Sequence, residues 1–300
     1  MMRMRVDSNR NLGRRSVSLS GELLEARTLL AGDDPLEMMD HVSPQYEVNH
    51  PPRLQLGNAA LIGTPAYQPL DQVEILWQTI SAGDGSSDRF TVDFRRFATD
   101  PWQPARVNSP LVTSAASRLM HSASIDGLNW NTRYMYRVQH WRGDQLVESY
   151  SSEFQTRLRP GDARAFSFAA YGDSANKSKI DGFRSVQRQI SHHNADFSLL
   201  LGDNFYTFGT HNDADARFDP AWSPEAVSWN AAHIDYFAIG NHDMFDSLEP
   251  ALRGQTSREL FSVPVPIAGV NAYVTPPAGE YPEHNYSFDY GDAHFVTFDS

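Results

Sequence analysis

Between residues 52 and 158, apolar and polar positions alternate in short stretches divided by turn residues. Val73, Ile75 and Trp77 alternate with Glu74, Leu76 and Gln78, Phe90, Val92 and Phe94 repeat the period, and Tyr134, Tyr136 and Val138 alternate with Arg133, Met135, Arg137 and Gln139. A period of two marks strands with one buried face, and the loop carrying Gly83, Asp84 and Gly85 is hairpin punctuation. After Arg159, Pro160, Gly161 and Asp162 the pattern changes. Residues 165–171 form an apolar run broken only by Ser167 and ending at Gly172 and Asp173. Ile180, Phe183, Val186 and Ile190 then recur at near-helical spacing, which predicts a helix of about three turns. Residues 196–201 form a second run ending at Gly202, Asp203 and Asn204, and residues 236–239 a third ending at Gly240, Asn241, His242 and Asp243. Strand, helix, strand and strand again predict a parallel sheet. The expected fold class is α/β (α+β) over residues 159–300, preceded by an all-β sandwich over 52–158.

Composition narrows the function. The net charge of −12 over 300 residues repels nucleic-acid backbones and anionic lipid, so a nucleic-acid partner is not expected. Without a single Cys, any metal must be held by Asp, Glu, His, Asn or Tyr. No apolar run approaches the ~20 residues that span a bilayer, so no membrane span is expected. Residues 1–31 stand apart, with Arg3, Arg5, Arg10, Arg14, Arg15 and Arg27 in an otherwise acidic chain. The stretch Leu24, Glu25, Ala26, Arg27, Thr28, Leu29, Leu30, Ala31 resembles an N-terminal segment of exported and surface proteins of certain bacteria. The resemblance implies an export or sorting signal and a periplasmic, surface or secreted protein. Residues 32–51, acidic and interrupted by Pro35, Pro44 and Pro51, read as a linker.

In an open parallel sheet, ligand-bearing residues gather at the carboxyl ends of the strands, where the loops diverge. All three Gly-led turns fall at such ends, and each presents oxygen or nitrogen ligands: Asp173, then Asp203 with Tyr206, then Asn241 with His242. Taken singly, each is an ordinary turn; in this order they are a candidate site. Among the other histidines, His192 and His193 suit a helix C-terminus, His294 reads as structural, and His211, near Asp213 and Asp215, is a candidate for the border of a substrate cleft.

These residues resemble the calcineurin-like metallophosphoesterases, and within them the purple acid phosphatases. The resemblance rests on Gly172 and Asp173, on Gly202, Asp203, Asn204, Phe205 and Tyr206, on Gly240, Asn241, His242 and Asp243, and on the late phrase at residues 286–295. The β-rich front part, with Trp77 at its centre and Tyr134 placed to tie a corner back to the main chain, resembles the fibronectin type III module that precedes the phosphatase domain in that family. The resemblance implies a dinuclear metal centre. Asp203 would bridge the two ions, Asp173 and Tyr206 would belong to the first and Asn241 to the second, and His242 would stand beside the phosphoryl group. A phenolate suits Fe(III), with Fe(II), Zn(II) or Mn(II) as its companion. Ala175, where many relatives carry Gly or His, leaves a position for Tyr206 to fill. The implied activity is hydrolysis of small phosphate monoesters. A phosphodiesterase or nucleotidase, or a catalytically degenerate surface protein, is the alternative. The family also uses three further His ligands, two of them in a Gly, His, x, His turn that is absent between Asp243 and Ser300. The expectation is therefore an incomplete metallophosphoesterase domain, nearly inactive by itself.

Overall fold

The computed structural model describes residues 46–57, 70–81, 87–264 and 285–298. The segment read as a signal and the Gly83 loop lie outside the described residues. In chain order the strands of the front part are β1 (Tyr46–Gln55), β2 (Asp71–Ser81), β3 (Asp88–Arg95), β4 (Gln103–Pro104), β5 (Arg106–Val107), β6 (Leu111–Val112), β7 (Arg118–Leu128), β8 (Arg133–Arg142) and β9 (Gln145–Gln155). Strand β1 takes up residues 46–51, which the sequence assigns to the linker. Of the prolines that suggest a break, Pro51 sits with Pro52 where the β1–β2 register shifts, between His50 and Arg53, so the strand passes them as an irregularity; Pro35 and Pro44 lie outside the described residues.

Two antiparallel sheets, ordered β1-β2-β7-β5 with β6 also on β7, and β4-β3-β8-β9, enclose an apolar layer. Trp77 is fully buried there and stacks on His121 at 5.4 Å, with Phe90 5.3 Å away. The Asn129 amide donates to the Tyr134 hydroxyl at 3.0 Å, closing the corner that the sequence predicts. Strand β2 departs from simple alternation: Leu76 and Gln78 are as buried as their inward neighbours. Their face of the sheet is covered by the α/β portion rather than by water.

That portion contains β10 (Phe168–Tyr171), α1 (Ile180–His193), β11 (Phe197–Leu201), α2 (His211–Phe218), α3 (Pro224–Asn230), β12 (Asp235–Ala238), α4 (Gln255–Leu260), β13 (Tyr286–Tyr290) and β14 (Ala293–Thr297). Strands β10, β11 and β12 form a parallel sheet in which Tyr171 lies opposite Leu200 and Leu200 opposite Phe237. Because the three run parallel and in step, the turns that follow them emerge on one edge. Helix α1 is the crossover between β10 and β11; Phe183, Gln187 and Ile190 are buried on it, whereas Val186 is exposed. It stops at Asn194, which adopts the left-handed conformation of a C-terminal cap. The β13–β14 hairpin packs beside the sheet through Phe288, whose ring stacks on Tyr236.

Sandwich and α/β portion belong to one compact unit, Ser43–Ser300. Arg53 donates to the Leu260 carbonyl at 2.6 Å and lies over the Phe218 ring. Arg157 and Asp71 form a buried pair, Nη2 to Oδ1 at 2.6 Å. Such contacts hold the parallel sheet, and the turns at its edge, against a rigid β scaffold.

Candidate functional site

Two of the three turns are built on backbone that resists ordinary residues. Asp173 and Asp203 adopt φ of 48° and 52°, and Ala175 adopts 53°, in the left-handed region that favours Gly. Strain of this kind persists only where the surroundings over-determine it, and it clusters at functional sites. Here the surroundings are the neighbouring turns. The Asp173 amide donates to the Gly202 carbonyl at 3.2 Å, and the Ser174 amide to the Asp203 carbonyl at 3.0 Å. Gly240 is forced by the same closeness, since a Cβ there would meet the backbone nitrogen and the carboxylate of Asp203.

The predicted side chains then converge. The Tyr206 hydroxyl faces Asp173 Oδ1 at 2.6 Å and Asp203 Oδ2 at 2.9 Å, so one phenol proton serves two carboxylates. Desolvation, and then acceptance of that proton by Asp173 and Asp203, pushes the phenol above its ordinary range. Tyr206 is thus drawn onto the carboxylates rather than into packing with Phe205 and Phe208. The other oxygen of Asp203 accepts the His242 amide at 2.9 Å. The His242 ring lies 4.4 Å from that of Tyr206, and its Nδ1 donates to the Thr207 carbonyl at 2.7 Å, which fixes the ring. Asn241 is exposed on the same turn, next to His242. A pocket of about 480 Å³ opens beside Asp173 and Tyr206, walled by Phe183 and Val186 of α1 and lined also by the exposed Lys179.

Several supporting residues carry no signal in the sequence pattern. Asp243 is fully buried and accepts the amides of Asn204 at 2.8 Å and Gly240 at 2.9 Å, together with the Asn204 side chain at 2.8 Å. It therefore bolts the second turn to the third. Burial pushes its carboxyl up to about 6, against the lowering by those amides. It lies within the third Gly-led turn, yet its partner Asn204 is thirty-nine positions away, and spacing cannot show that. His211 does not border a cleft. It is buried on α2, its ring nitrogens bonded to Gln78 of the sandwich at 3.0 Å and to Glu259 at 2.6 Å. His294 is exposed and paired with Asp289 at 2.7 Å.

No protein-family model and no curated protein sequence matches this chain. A solved purple acid phosphatase from yellow lupin (Lupinus luteus) seeds superposes on 83% of it, at a TM-score of 0.57 and 17% sequence identity. The fold resembles part of a purple acid phosphatase. It is part only, because this chain spans 45% of the length of that enzyme. Astrotactin-2, a vertebrate membrane protein (12% identity, 47% of this chain and 25% of that one), aligns at a TM-score of only 0.25. A family 2 glycosyl hydrolase from Bacteroides cellulosilyticus (8% identity, 67% and 32%) reaches only 0.24. Neither value carries an argument.

Among the described residues, no group of three or more His, Cys, Asp or Glu side chains is disposed to hold a metal ion. The convergent donors of the candidate site are instead two carboxylates and a phenol, a purely oxygen set suited to a hard cation. A single proton among these three oxygens is a weak substitute for such a cation. The residues present therefore fit one side of a metal centre.

Proposed function

We propose that this chain carries the front half of a dinuclear phosphoesterase site of the purple acid phosphatase type, acting on small phosphate monoesters. The observation that carries the reading is the convergence of Asp173, Asp203 and Tyr206 at the ends of adjacent parallel strands, two of them on strained backbone. Asp173 and Tyr206 would hold Fe(III), Asp203 would be shared with Fe(II), Zn(II) or Mn(II), and Asn241 would complete the second side. When bound, such ions supply a nucleophile near neutral pH and neutralise charge on the phosphoryl oxygens. His242, oriented by Thr207, would stand beside the phosphoryl group; because Nδ1 already donates to Thr207, donation from Nε2 to the phosphoryl group or to the departing oxygen requires the doubly protonated ring. The stretch Leu24 to Ala31, which resembles an N-terminal segment of exported and surface proteins, supports export as part of the same reading.

The test is hydrolysis of p-nitrophenyl phosphate and of bis(p-nitrophenyl) phosphate, with Fe(III) plus Zn(II) or Mn(II), by the wild type and by Asp203→Ala. The reading expects metal-dependent release from the monoester, faint in this chain because further His ligands are wanting, and none from Asp203→Ala. Metal-independent turnover, or turnover that survives Asp203→Ala, contradicts it. A preference for the diester would favour the phosphodiesterase alternative.

A further inference from the structure

Helix α2 has one face on the sandwich and another beneath the site turns. Asp215 and Arg217 are two residues apart, so their side chains leave the helix roughly 200° apart. On one side Asp215 receives His50 of β1 at 2.8 Å and the Arg118 fork of β7 at 2.7 and 3.1 Å. Lys177 adds a contact at 3.4 Å. On the other side Arg217, wholly buried, spreads its guanidinium under both carboxylate turns. Nη2 donates to Ser174 Oγ at 2.5 Å, beside Asp173, and both Nε and Nη2 reach the Asn204 carbonyl at 3.3 Å, beside Asp203. Nη1 donates to the Tyr171 hydroxyl at 3.1 Å and lies 3.6 Å from Asp235.

Asn204 is thereby held from both directions, its amides by Asp243 and its carbonyl by Arg217. The planar five-donor fork of Arg can do this at several acceptors together; an ammonium cannot. We infer that the sandwich positions the Asp173 and Asp203 turns through α2, with Arg217 as the positioning residue. The sandwich is then part of the device that keeps two strained aspartates in register, rather than a spacer. The inference rests on the phosphoesterase reading only in calling these turns a site, because the contacts themselves do not depend on it.

Amide hydrogen exchange of the 300-residue chain tests it, in peptides covering residues 172–176 and 202–206, with β8 and β9 as internal controls and the melting temperature recorded. Arg217→Lys keeps the charge and loses the fork, and is expected to speed exchange about tenfold at both turns, the effect of losing charge-assisted hydrogen bonds. Ser174→Ala removes one acceptor and is expected to loosen 172–176 alone. Arg118→Gln touches neither turn, yet is expected to speed exchange at both, and Arg118→Lys, which keeps a cation beside Asp215, is expected to restore protection. If Arg217→Lys does not fold, the Ser174 and Arg118 variants decide. Unchanged exchange at both turns in folded Arg118→Gln and Ser174→Ala overturns the inference. So does an effect of Arg118→Gln that spreads equally to β8 and β9, because that is general loosening. Fe(III) binding by the wild type, read in parallel by its visible absorption, separates the two claims. Absent Fe(III) binding with intact coupling counts against the phosphoesterase reading alone, whereas Fe(III) binding without coupling counts against the role of Arg217 alone.

Discussion

Asp203 is asked to do the most. One oxygen accepts the Tyr206 phenol, the other the His242 amide, and its own backbone sits at φ 52°. Asp203→Ala should therefore abolish metal binding at both sides of the site, while Asp173→Ala should weaken the first side selectively. Titration of each variant with Fe(III) and Zn(II), read by calorimetry, checks this; equal retention of both ions in Asp203→Ala would refute the shared-ligand role. Gly240→Ala is expected to be as damaging without removing a ligand. Its Cβ would strike the Asp203 backbone, and overpacking of this kind costs about 1–3 kcal/mol. A fall in urea midpoint accompanied by lost metal binding is the expected result, and a neutral Gly240→Ala would mean the two turns are not held as closely as described. At this scale the sequence pointed to the turns whose side chains converge, because Gly followed by Asp or Asn at a strand end is a local pattern. Asp243 and Arg217 were illegible as braces, because their partners are distant in the chain and a buried carboxylate or guanidinium leaves no periodic trace.

The elements were legible where one period dominates. Helix α1 shows the strength and the limit of that: Phe183 and Ile190 are buried as their spacing predicts, but Val186 is turned outward, and the buried polar Gln187 takes a place that an apolar count would not give it. Ile190→Ala should cost about 2–5 kcal/mol, whereas Val186→Ser should stay within about 0.5 kcal/mol; chemical unfolding of both variants measures the difference. Equal losses would show that α1 packs on a different face. Strand β2 was misread for a related reason. The polar Gln78 looks like a solvent position, yet it bonds His211 across the interface, so a polar residue on a strand can mark a second partner as well as water. His211 itself looked like a cleft residue only because it follows Tyr206 closely in sequence. The Thr210 capping box starts α2 there and carries the histidine into the interface.

For the whole molecule, buried histidines set the response to acid. Burial lowers His121 to about 4 and His50 to about 3, the latter against its hydrogen bond to Asp215. Above pH 6.5 both are neutral in the folded and unfolded states, and their contribution is complete. Below 6.5 the unfolded chain takes up protons that the folded chain refuses, so stability falls, through about pH 4 for His121 and about pH 3 for His50. From pH 6.5 to 5 the two rings account for a loss of about 3 kcal/mol, of which Asp243, raised to about 6 and so protonated first in the folded chain, offsets about 1 kcal/mol. In His121→Phe the slope over that window should fall by about one proton. Urea midpoints between pH 7 and 5 read both, and a flat profile would mean that neither ring is held neutral. Asp215 extends the dependence to lower pH. Burial alone would raise it, but His50 and Arg118 outweigh that and hold its carboxyl below the ordinary range, so its contribution is lost as pH falls through that depressed value. The two-part architecture was visible in the change of period after Gly161. The joint between the parts was not, because it is made of charged and polar side chains that read singly as surface.

The central claim is that Tyr206 stands with Asp173 and Asp203 as a hard-metal ligand. Its most direct test is the visible absorption of the chain titrated with Fe(III), for the wild type and for Tyr206→Phe. The account predicts a phenolate-to-iron charge-transfer band in the wild type, pink to violet, that is absent from Tyr206→Phe. Iron bound without a band, or a band equal in both proteins, would contradict it.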